Sequence, residues 1–279
     1  MKTLFKTLFG IACLAFLGGF APNNSAAATT IAYTLHGDGP KKVIVLHSWM
    51  GDYQSWLPTI AHLDLKQHSF AFVDVRGYGK SKDIKGDYNS DEVANDIFDV
   101  AKKLGWDRYF LIGHSMTGMA VQKAAVLDAS NAIIKVMAIT PVSSAGFPVD
   151  QENLNFFKAI VHDQEVANKA FRAFTSNRLS DTWYSNQAKR HVAVTNKEAQ
   201  LGYIDMWTGE DFSSKMSMVK TPFTVLYGQY DHPGFSGEAQ KKAFALLQQV
   251  SYVEVENAGH FPMQETPVFL AAQIEQFLN

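Results

Sequence analysis

A serine that follows a short apolar run is the first candidate for chemistry in this sequence. Ser115 comes after the apolar residues 109–112 and Gly113, and it precedes a segment with helical spacing of apolar residues at 121–127. This order of strand, serine and helix predicts a nucleophile elbow, in which a tight turn projects the serine hydroxyl into solvent. The backbone N–H of Met116 then lies at a helix N-terminus, where it can stabilise an oxyanion.

The expected pattern, Gly-x-Ser-x-Gly, is matched at four of its five places. Thr117 stands where the second glycine is expected, and Gly118 follows one place later. A threonine there adds a β-branched side chain where helix and strand approach closely, and its hydroxyl needs a partner. The other interpretation of these residues is a buried strand followed by a turn of small residues.

A serine hydroxyl needs a general base within hydrogen-bond reach, and that base needs an acid to orient it. Of the nine histidines, His260 directly follows the last predicted strand and a glycine that permits a sharp turn. Asp231 lies just beyond the end of another predicted strand, whereas Glu254 and Glu256 lie within or at the end of one. The chain order is therefore Ser115, Asp231, His260, the order of an α/β-hydrolase triad.

Strands and helices alternate along the chain, which predicts an α/β fold with a mostly parallel sheet. Alternating residues at 30–35 and continuous apolar runs predict strands at 42–46, 70–75, 109–112, 133–142, 223–228 and 252–255. Helical spacing and capping residues predict helices at about 56–63, 89–104, 238–249 and 266–278.

Residues 143–217, hereafter the insertion, interrupt this alternation. They contain no clear buried strand, but they show helical spacing and many large aromatic residues, including Trp183 and Trp207. An insertion between two strands of such a sheet lies above the carboxyl edge, so we expect a helical lid. Most of its aromatic residues are expected to pack on the core. Trp183, Trp207 and Ser48 are the candidates for lining a substrate pocket.

Five stretches in order resemble the α/β-hydrolase superfamily, and the resemblance covers almost the whole chain beyond its N-terminal segment. They are Val45-Leu46-His47-Ser48-Trp49, Asp74-Val75-Arg76-Gly77-Tyr78-Gly79-Lys80-Ser81, Gly113-His114-Ser115-Met116, Gly228-Gln229-Tyr230-Asp231 and Gly259-His260-Phe261-Pro262. The resemblance implies an α/β-hydrolase fold with helices on both faces of the sheet. The helical lid is expected after the strand that follows the nucleophile helix.

The expected organisation is a signal peptide at 1–28, a core domain in two parts at 29–142 and 218–279, and the insertion between them. By the resemblance, the oxyanion hole uses the backbone N–H groups of Met116 and Trp49. Ser48 replaces the glycine that commonly precedes this position, which is a second departure from the family pattern. His47 is expected to hold this loop rather than to take part in chemistry.

These residues together imply a serine hydrolase that cleaves a small carboxylic ester or lactone through an acyl-enzyme. Ser115 is the expected nucleophile, His260 the general base and then acid, and Asp231 the residue that orients His260. The same residues also permit hydrolysis of a carbon–carbon bond in a diketone or of an N-terminal peptide bond. A third interpretation is a ligand-sensing protein with slow turnover, which Thr117 favours mildly. The serine at the elbow separates the chain from dehalogenases and epoxide hydrolases, which carry aspartate there.

Composition argues against several other classes of protein. The net charge is −2 and the positive and negative residues are well mixed along the sequence. No basic cluster that would indicate nucleic-acid binding is visible in the sequence. Gly79-Lys80-Ser81 lacks the first glycine that a P-loop needs, because Asp74 stands five places before Gly79. No metal-binding motif is present, and no cofactor is expected.

The N-terminus has the three parts of a secretory signal peptide. Lys2 and Lys6 precede a mostly apolar run at 8–20, and the segment ends in an Ala-x-Ala pattern before Thr29. The run is shorter than the roughly 20 residues that a membrane span needs, so no stable anchor is expected after cleavage. A periplasmic or secreted location is expected. Lipidation at Cys13, the only cysteine, is a minor alternative.

Cleavage after residue 28 would give a mature N-terminus near Thr29. Mass spectrometry of the protein from its native host is expected to show this terminus in the exported fraction. Recovery of the full-length chain from the cytosol would contradict the prediction.

Overall fold

Seven strands form one sheet in the computed structural model, which describes residues 31–279. The predicted signal peptide at 1–28 lies outside the described residues. The strands are β1 (Tyr33–His36), β2 (Lys41–Leu46), β3 (His68–Val73), β4 (Tyr109–His114), β5 (Ile133–Ile139), β6 (Phe223–Gly228) and β7 (Val250–Val255). Their spatial order is β1-β3-β2-β4-β5-β6-β7, and β1 pairs antiparallel with β3 while all other neighbours pair parallel.

The central strands are continuous apolar runs because helices cover both faces of the sheet. Every residue of β3 and β4 is buried, and so are the last four residues of β2. Parallel strands buried on both sides favour β-branched and aromatic residues in this way. The predicted α/β-hydrolase fold class, a mostly parallel sheet flanked by helices, is confirmed.

Ten α-helices occur among residues 31–279. They are α1 (Leu57–Ile60), α2 (Ser90–Leu104), α3 (Met116–Leu127), α4 (Gln151–Ile160), α5 (Gln164–Phe174), α6 (Asp181–Val194), α7 (Lys197–Gly209), α8 (Gly237–Ala243), α9 (Pro262–Glu265) and α10 (Pro267–Leu278). None of them is long and apolar enough to cross a membrane.

Helix α2 shows how local sequence sets these boundaries. The Asn89 side chain accepts a hydrogen bond from the Glu92 N–H at 2.8 Å, which caps the first turn. The Glu92 carboxylate accepts from the N–H of Tyr88 at 2.9 Å, one residue before the position that a capping box would use. Gly105 ends the helix in the left-handed region at φ 66°, as glycine commonly does.

Two predicted helices are shorter in the structure. Helix α1 spans four residues and is preceded by a 3₁₀ turn at Tyr53–Trp56. Helix α8 ends at Ala243 rather than near residue 249. Phe244 and Leu247 both bury their side chains beyond that end, and the Leu247 N–H bonds to the Phe244 carbonyl in a tighter turn. The chain therefore leaves the helix at Phe244 and continues in a tighter turn that buries both side chains.

Four helices, α4 to α7, lie between β5 and β6, where the insertion was predicted. They contact the loops at the carboxyl edge of the sheet. The ring of Phe174, at the end of α5, stacks on His260 at 4.8 Å, and the ring of Trp207 in α7 lies 6.2 Å from that of Trp49. The insertion therefore contacts the edge of the sheet that carries the candidate residues.

Candidate active site

Ser115 occupies a strained turn between β4 and α3. Its backbone has φ 54° and ψ −114°, a conformation that costs a non-glycine residue about 1–3 kcal/mol. The surroundings hold it there, because the Ser115 N–H donates to the Ile139 carbonyl at 2.9 Å. The Ser115 carbonyl accepts from the N–H groups of Gly118 at 2.8 Å and Val142 at 3.0 Å. This is the geometry of a nucleophile elbow.

Two glycines allow α3 to approach the sheet closely beneath this turn. A Cβ atom on Gly113 would lie 2.5 Å from the carbonyl oxygen of Thr117, and one on Gly118 would lie 2.5 Å from Cβ of Pro141. Neither contact leaves room for a side chain. The close approach on the helix side therefore occurs at Gly118, one residue after the position expected from the family pattern.

Thr117 is accommodated because its hydroxyl is fully bonded. Its Oγ1 accepts from the His114 N–H at 3.0 Å and donates to the His47 carbonyl oxygen at 2.9 Å. The side chain is wholly buried. Thr117 thus ties the elbow to the loop after β2, so the first departure from the family pattern adds a contact between the two halves of the candidate oxyanion hole.

His260 follows β7 and lies directly against the serine. Its Nε2 is 2.8 Å from Ser115 Oγ. The His260 N–H donates to the Phe174 carbonyl at 2.9 Å, and its carbonyl accepts from Thr140 Oγ1 at 3.2 Å. The ring packs against two aromatic side chains, with centroid distances of 4.8 Å to Phe174 and 4.7 Å to Phe235. Little freedom remains for the imidazole to rotate.

Asp231, in the loop after β6, bonds to the other nitrogen of this ring. Its Oδ2 and Oδ1 atoms lie 2.8 Å and 3.0 Å from His260 Nδ1, and Oδ1 also accepts from the His232 N–H at 2.7 Å. The Asp231 side chain has no exposed area. A carboxylate on Nδ1 keeps the proton there, which leaves Nε2 free to accept the proton of Ser115. The structure thus brings the three predicted residues into one hydrogen-bonded line.

His114 contacts the backbone of His260. The only sequence signal for this role was its position next to Ser115. Its Nε2 lies 2.7 Å from the His260 carbonyl oxygen, so the ring carries a proton on Nε2 and donates it. Burial lowers the pKa of His114 well below its ordinary value, and the nearby His260 acts in the same direction. A neutral His114 avoids placing a second positive charge beside His260 when that ring accepts a proton.

Two backbone N–H groups beside the cavity are the candidate donors to an oxyanion. Met116 is the first residue of α3, so its N–H has no partner within the helix. Among the hydrogen bonds of residues 31–279, none uses the N–H of Met116 or of Trp49. Both residues line the same cavity as Ser115. These two N–H groups are therefore available to donate hydrogen bonds to a group bound beside Ser115.

The loop that carries Trp49 is held by its neighbours. His47 donates from Nδ1 to the Ser48 carbonyl at 2.7 Å and accepts at Nε2 from the Val75 N–H at 3.2 Å, so its role is structural, as expected. Ser48 is outside the left-handed region, and its Oγ accepts from the Met50 N–H at 3.3 Å. The second departure from the family pattern therefore causes no backbone strain.

The Trp49 side chain is fixed by the insertion. Its Nε1 donates to the Gln200 carbonyl of α7 at 3.0 Å, and its ring lies 6.2 Å from that of Phe157 and 5.8 Å from that of His191. Burial lowers the pKa of His191 to about 4, so this ring is neutral at pH 7. The insertion thereby positions a residue that contributes a candidate oxyanion donor.

A cavity of about 450 Å³ opens beside Ser115 and His260. Its walls are mainly apolar, and several aromatic rings come from the insertion and the loops below it. These rings include those of Trp49, Phe156, Phe157, Phe174, Trp207 and Phe235. The volume lies in the range of small-molecule sites, about 300–1,000 Å³.

Of the three residues predicted to line a substrate pocket, Ser48 and Trp207 face this cavity and Trp183 does not. Trp183 lies on α6 in an outer layer, where its ring packs against those of Phe171 at 5.8 Å and Phe261 at 6.2 Å. Trp183, which was expected to line a substrate pocket, therefore lies outside the wall of this cavity. Composition located the aromatic helices, but which face of a helix points inward depends on the packing of α5 against α6.

Within the described part of the chain, no group of three or more His, Cys, Asp or Glu side chains is placed to hold a metal ion.

Comparison with known proteins agrees with this architecture. The family model described as alpha/beta hydrolase fold matches residues 41–267. The chain is 22% identical to a pimeloyl-[acyl-carrier protein] methyl ester esterase of Legionella pneumophila (strain Lens) over 88% of this chain and 97% of that protein. It is 22% identical to an uncharacterised carboxylesterase of Bacillus subtilis (strain 168) over 85% of this chain and 79% of that protein.

Among solved structures, a bromoperoxidase from Bacillus anthracis superposes with a TM-score of 0.78 at 18% identity, covering 88% of this chain and 94% of that one. Identity at this level shows the shared fold alone. The relatives by sequence support an enzyme of the α/β-hydrolase type. The match over most of the chain, together with the seven-stranded sheet and its connections, shows that the chain belongs to the α/β-hydrolase fold family.

Proposed function

We propose that this chain is a serine hydrolase that cleaves a small carboxylic ester or lactone through an acyl-enzyme. The observation that carries the proposal is the distance of 2.8 Å between Ser115 Oγ and His260 Nε2, with Asp231 on Nδ1 of the same ring. A nucleophile, a base and an orienting acid in this geometry meet the requirements for acyl transfer. The adjoining cavity of about 450 Å³ suits a small substrate.

The first half of the reaction forms the acyl-enzyme. Ser115 Oγ attacks the carbonyl carbon of the substrate while His260 Nε2 takes its proton, and the negative charge collects on the former carbonyl oxygen. The N–H groups of Met116 and Trp49 stabilise that oxyanion. When the tetrahedral intermediate collapses, the bond to the alcohol oxygen breaks and His260 gives its proton to the leaving alcohol.

The second half of the reaction hydrolyses the acyl-enzyme. A water molecule attacks the ester carbon, and His260 takes one of its protons and returns it to Ser115 Oγ as the acid leaves. Asp231 stabilises the imidazolium that forms in each half. The buried, neutral His114 beside His260 adds no charge that would oppose this imidazolium.

An ester substrate is supported by two observations of different kinds. The cavity is lined mainly by aromatic and aliphatic side chains, which suit an apolar acyl or alcohol group. Two relatives that align over most of the chain are named as esterases. These two observations favour short esters, rather than diketones or N-terminal peptide bonds, as the substrate class.

The insertion is proposed to act as a lid that shapes the cavity and controls access to it. Phe156, Phe157 and Trp207 supply part of the wall from α4 and α7, while Ser115 and His260 lie on the core. Export to the periplasm or medium is also part of the proposal, and it depends on the sequence of the N-terminal segment alone.

Removal of any one of the three proposed catalytic residues is expected to abolish most activity. Ser115→Ala should lower ester turnover by about 10⁴- to 10⁶-fold, because the members of one proton relay act as a unit. Asp231→Asn should lower it by about 10⁴-fold at most, since the histidine remains but is held in the wrong tautomer. Turnover of short p-nitrophenyl esters measures both effects.

The matched control for the acid is Glu256→Gln, which removes an exposed carboxylate at the end of β7. This variant should keep full activity. Full activity in Asp231→Asn together with loss in Glu256→Gln would show that the acid is misassigned. Combining Asp231→Asn with His260→Ala should add little to the loss in the single His260 variant.

Trp207 is expected to control the acyl size that the cavity accepts. Trp207→Ala should enlarge the cavity and raise kcat/KM for longer acyl chains relative to acetate by about fivefold or more, since one methylene in an apolar pocket is worth about 10- to 200-fold. The relative rates across a series of p-nitrophenyl esters, from acetate to octanoate, provide the measurement.

Trp183→Ala is the matched control, because it removes the same side chain from the same insertion outside the cavity. It should lower the melting temperature and leave the relative rates unchanged. Equal changes in selectivity for the two variants would contradict the proposed role of the cavity wall.

A further inference from the structure

We propose that the cavity selects uncharged esters and rejects those that carry a carboxylate or phosphate group. This inference rests on the proposed function and extends it to the class of substrate.

No Lys or Arg side chain from the described residues lines the cavity. Its polar side chains beyond Ser115 and His260 are those of Ser48, Asp150, Asn153 and His232. An anionic group bound against the aromatic wall would lose its hydration without gaining a Lys or Arg partner. Burial of an unpaired carboxylate carries a large free-energy cost. An uncharged group of the same shape would not meet this cost.

Asp150 is the one carboxylate side chain among the described residues that line this cavity, and its charge also opposes the binding of an anion. Asp150 is the N-cap of α4, and its Oδ1 accepts from the Asn153 N–H at 2.8 Å. This contact holds the charge at the rim of the cavity, where the side chain is exposed. Repulsion there is screened by salt, so the missing cation is the larger effect and Asp150 the smaller one.

Two benzyl esters of matched shape test this selectivity. Benzyl 4-methylpentanoate ends its acyl chain in two methyl groups, and monobenzyl succinate ends it in the two oxygens of a carboxylate, which is ionised at pH 7. Benzyl alcohol is a poor leaving group for attack by the substrate's own carboxylate, so the enzymatic rate is not obscured. We expect kcat/KM for the uncharged ester to be higher by at least about tenfold.

A new cation at the rim should lower the ratio of kcat/KM for the uncharged ester to kcat/KM for the charged ester. Asn153→Lys places an ammonium group on the cavity wall, and Gln151→Lys places the same group in the same first turn of α4 but outside the wall. Any cost of a lysine near the helix N-terminus is therefore shared by both variants. The ratio should fall about threefold or more in Asn153→Lys and stay unchanged in Gln151→Lys.

The outcomes separate this inference from the proposed function. Equal kcat/KM for the two esters, or equal ratios in the two lysine variants, would contradict the proposed selectivity. Neither result would contradict the proposed hydrolase function. If neither ester is cleaved, the proposed hydrolase fails. In that case, calorimetric binding of both intact esters to the Ser115→Ala variant still decides whether the cavity discriminates against charge.

A different set of contacts carries a second inference, that Arg178 and Glu265 are positioning residues for His260. The Glu265 side chain has no exposed area, and its carboxylate accepts from the N–H groups of Gly259 at 2.8 Å and Phe261 at 2.9 Å. These two residues flank His260 on both sides. The carboxylate therefore fixes the backbone of the loop that carries the imidazole.

Arg178 joins this carboxylate to the insertion. Its guanidinium donates to Glu265 Oε2 at 2.9 Å and to the Asn257 carbonyl at 2.7 Å, and it stacks over the Tyr230 ring at 4.3 Å. Tyr230 is next to Asp231. One residue of the insertion thus contacts both the loop of the histidine and the loop of the acid.

The hydroxyl of Ser176 reinforces this junction by donating to the Tyr230 carbonyl at 2.8 Å. The geometry indicates that the turn after α5 sets the separation between His260 and Asp231. A displacement of about 1 Å in such a pair can cost about 10²-fold in rate. The insertion would then contribute to catalysis itself, in addition to shaping the cavity.

Arg178→Gln tests the positioning role, with Arg172→Gln as the control. Arg172 pairs with Asp181 inside the insertion and lies at the same end of α5. In Arg178→Gln we expect kcat to fall by about tenfold or more for every ester, with KM within about twofold, since a misplaced histidine affects the transition state rather than binding. Arg178→Lys, which keeps the charge, should restore part of kcat.

A second readout does not depend on turnover. The proton between His260 Nδ1 and Asp231 should give a strongly deshielded NMR signal, which we expect to persist in Arg172→Gln and to be lost or broadened in Arg178→Gln. An unchanged signal and an unchanged kcat in Arg178→Gln would overturn the inference. If the signal responds but no ester is cleaved by the unmodified protein, the positioning role holds and the proposed function fails.

Discussion

The hydrogen bond of 2.8 Å between His260 Nε2 and Ser115 Oγ joins residues that are 145 positions apart in the chain. Its length depends on the β4 to α3 turn, on the loop after β7 and on the insertion that contacts both. The backbone of Ser115 remains strained, at φ 54°, only because the carbonyl and N–H groups on either side of the turn are bonded to β5 and the residues after it. The close packing at Gly113 and Gly118 serves the same bond, because it brings α3 against the sheet.

The two departures from the family pattern illustrate how such a site tolerates substitution. Thr117 replaces a glycine at a place where the helix has room for a side chain, and its hydroxyl bonds to the backbone of His47. Ser48 also replaces a glycine, and it adopts a conformation open to any residue. Each change adds a hydroxyl that forms a hydrogen bond to the backbone of the loop after β2. A pattern mismatch therefore need not mean a damaged site when the buried hydroxyl is satisfied.

The sequence was sufficient for the fold class and for the three residues that meet at the elbow, because each reflects a local rule. Continuous apolar runs marked the buried strands, and Asp231 and His260 each follow the end of such a strand. The face that each helix of the insertion turns inward follows no local rule, which is why Trp207 lies on the cavity wall and Trp183 lies behind it. Arg178 and Glu265 gave no signal either, since an exposed-looking arginine and glutamate are ordinary surface residues until packing buries the carboxylate.

The central claim is that Ser115 is a nucleophile activated by His260, and covalent labelling tests it most directly. The unmodified protein should react with a fluorophosphonate at one site, and peptide mapping by mass spectrometry should place the adduct on Ser115. Pre-incubation with a short ester should slow the reaction, and His260→Ala should nearly abolish it because the serine then lacks its base. An adduct on another residue, or equal labelling of the Ser115→Ala variant, would contradict the account.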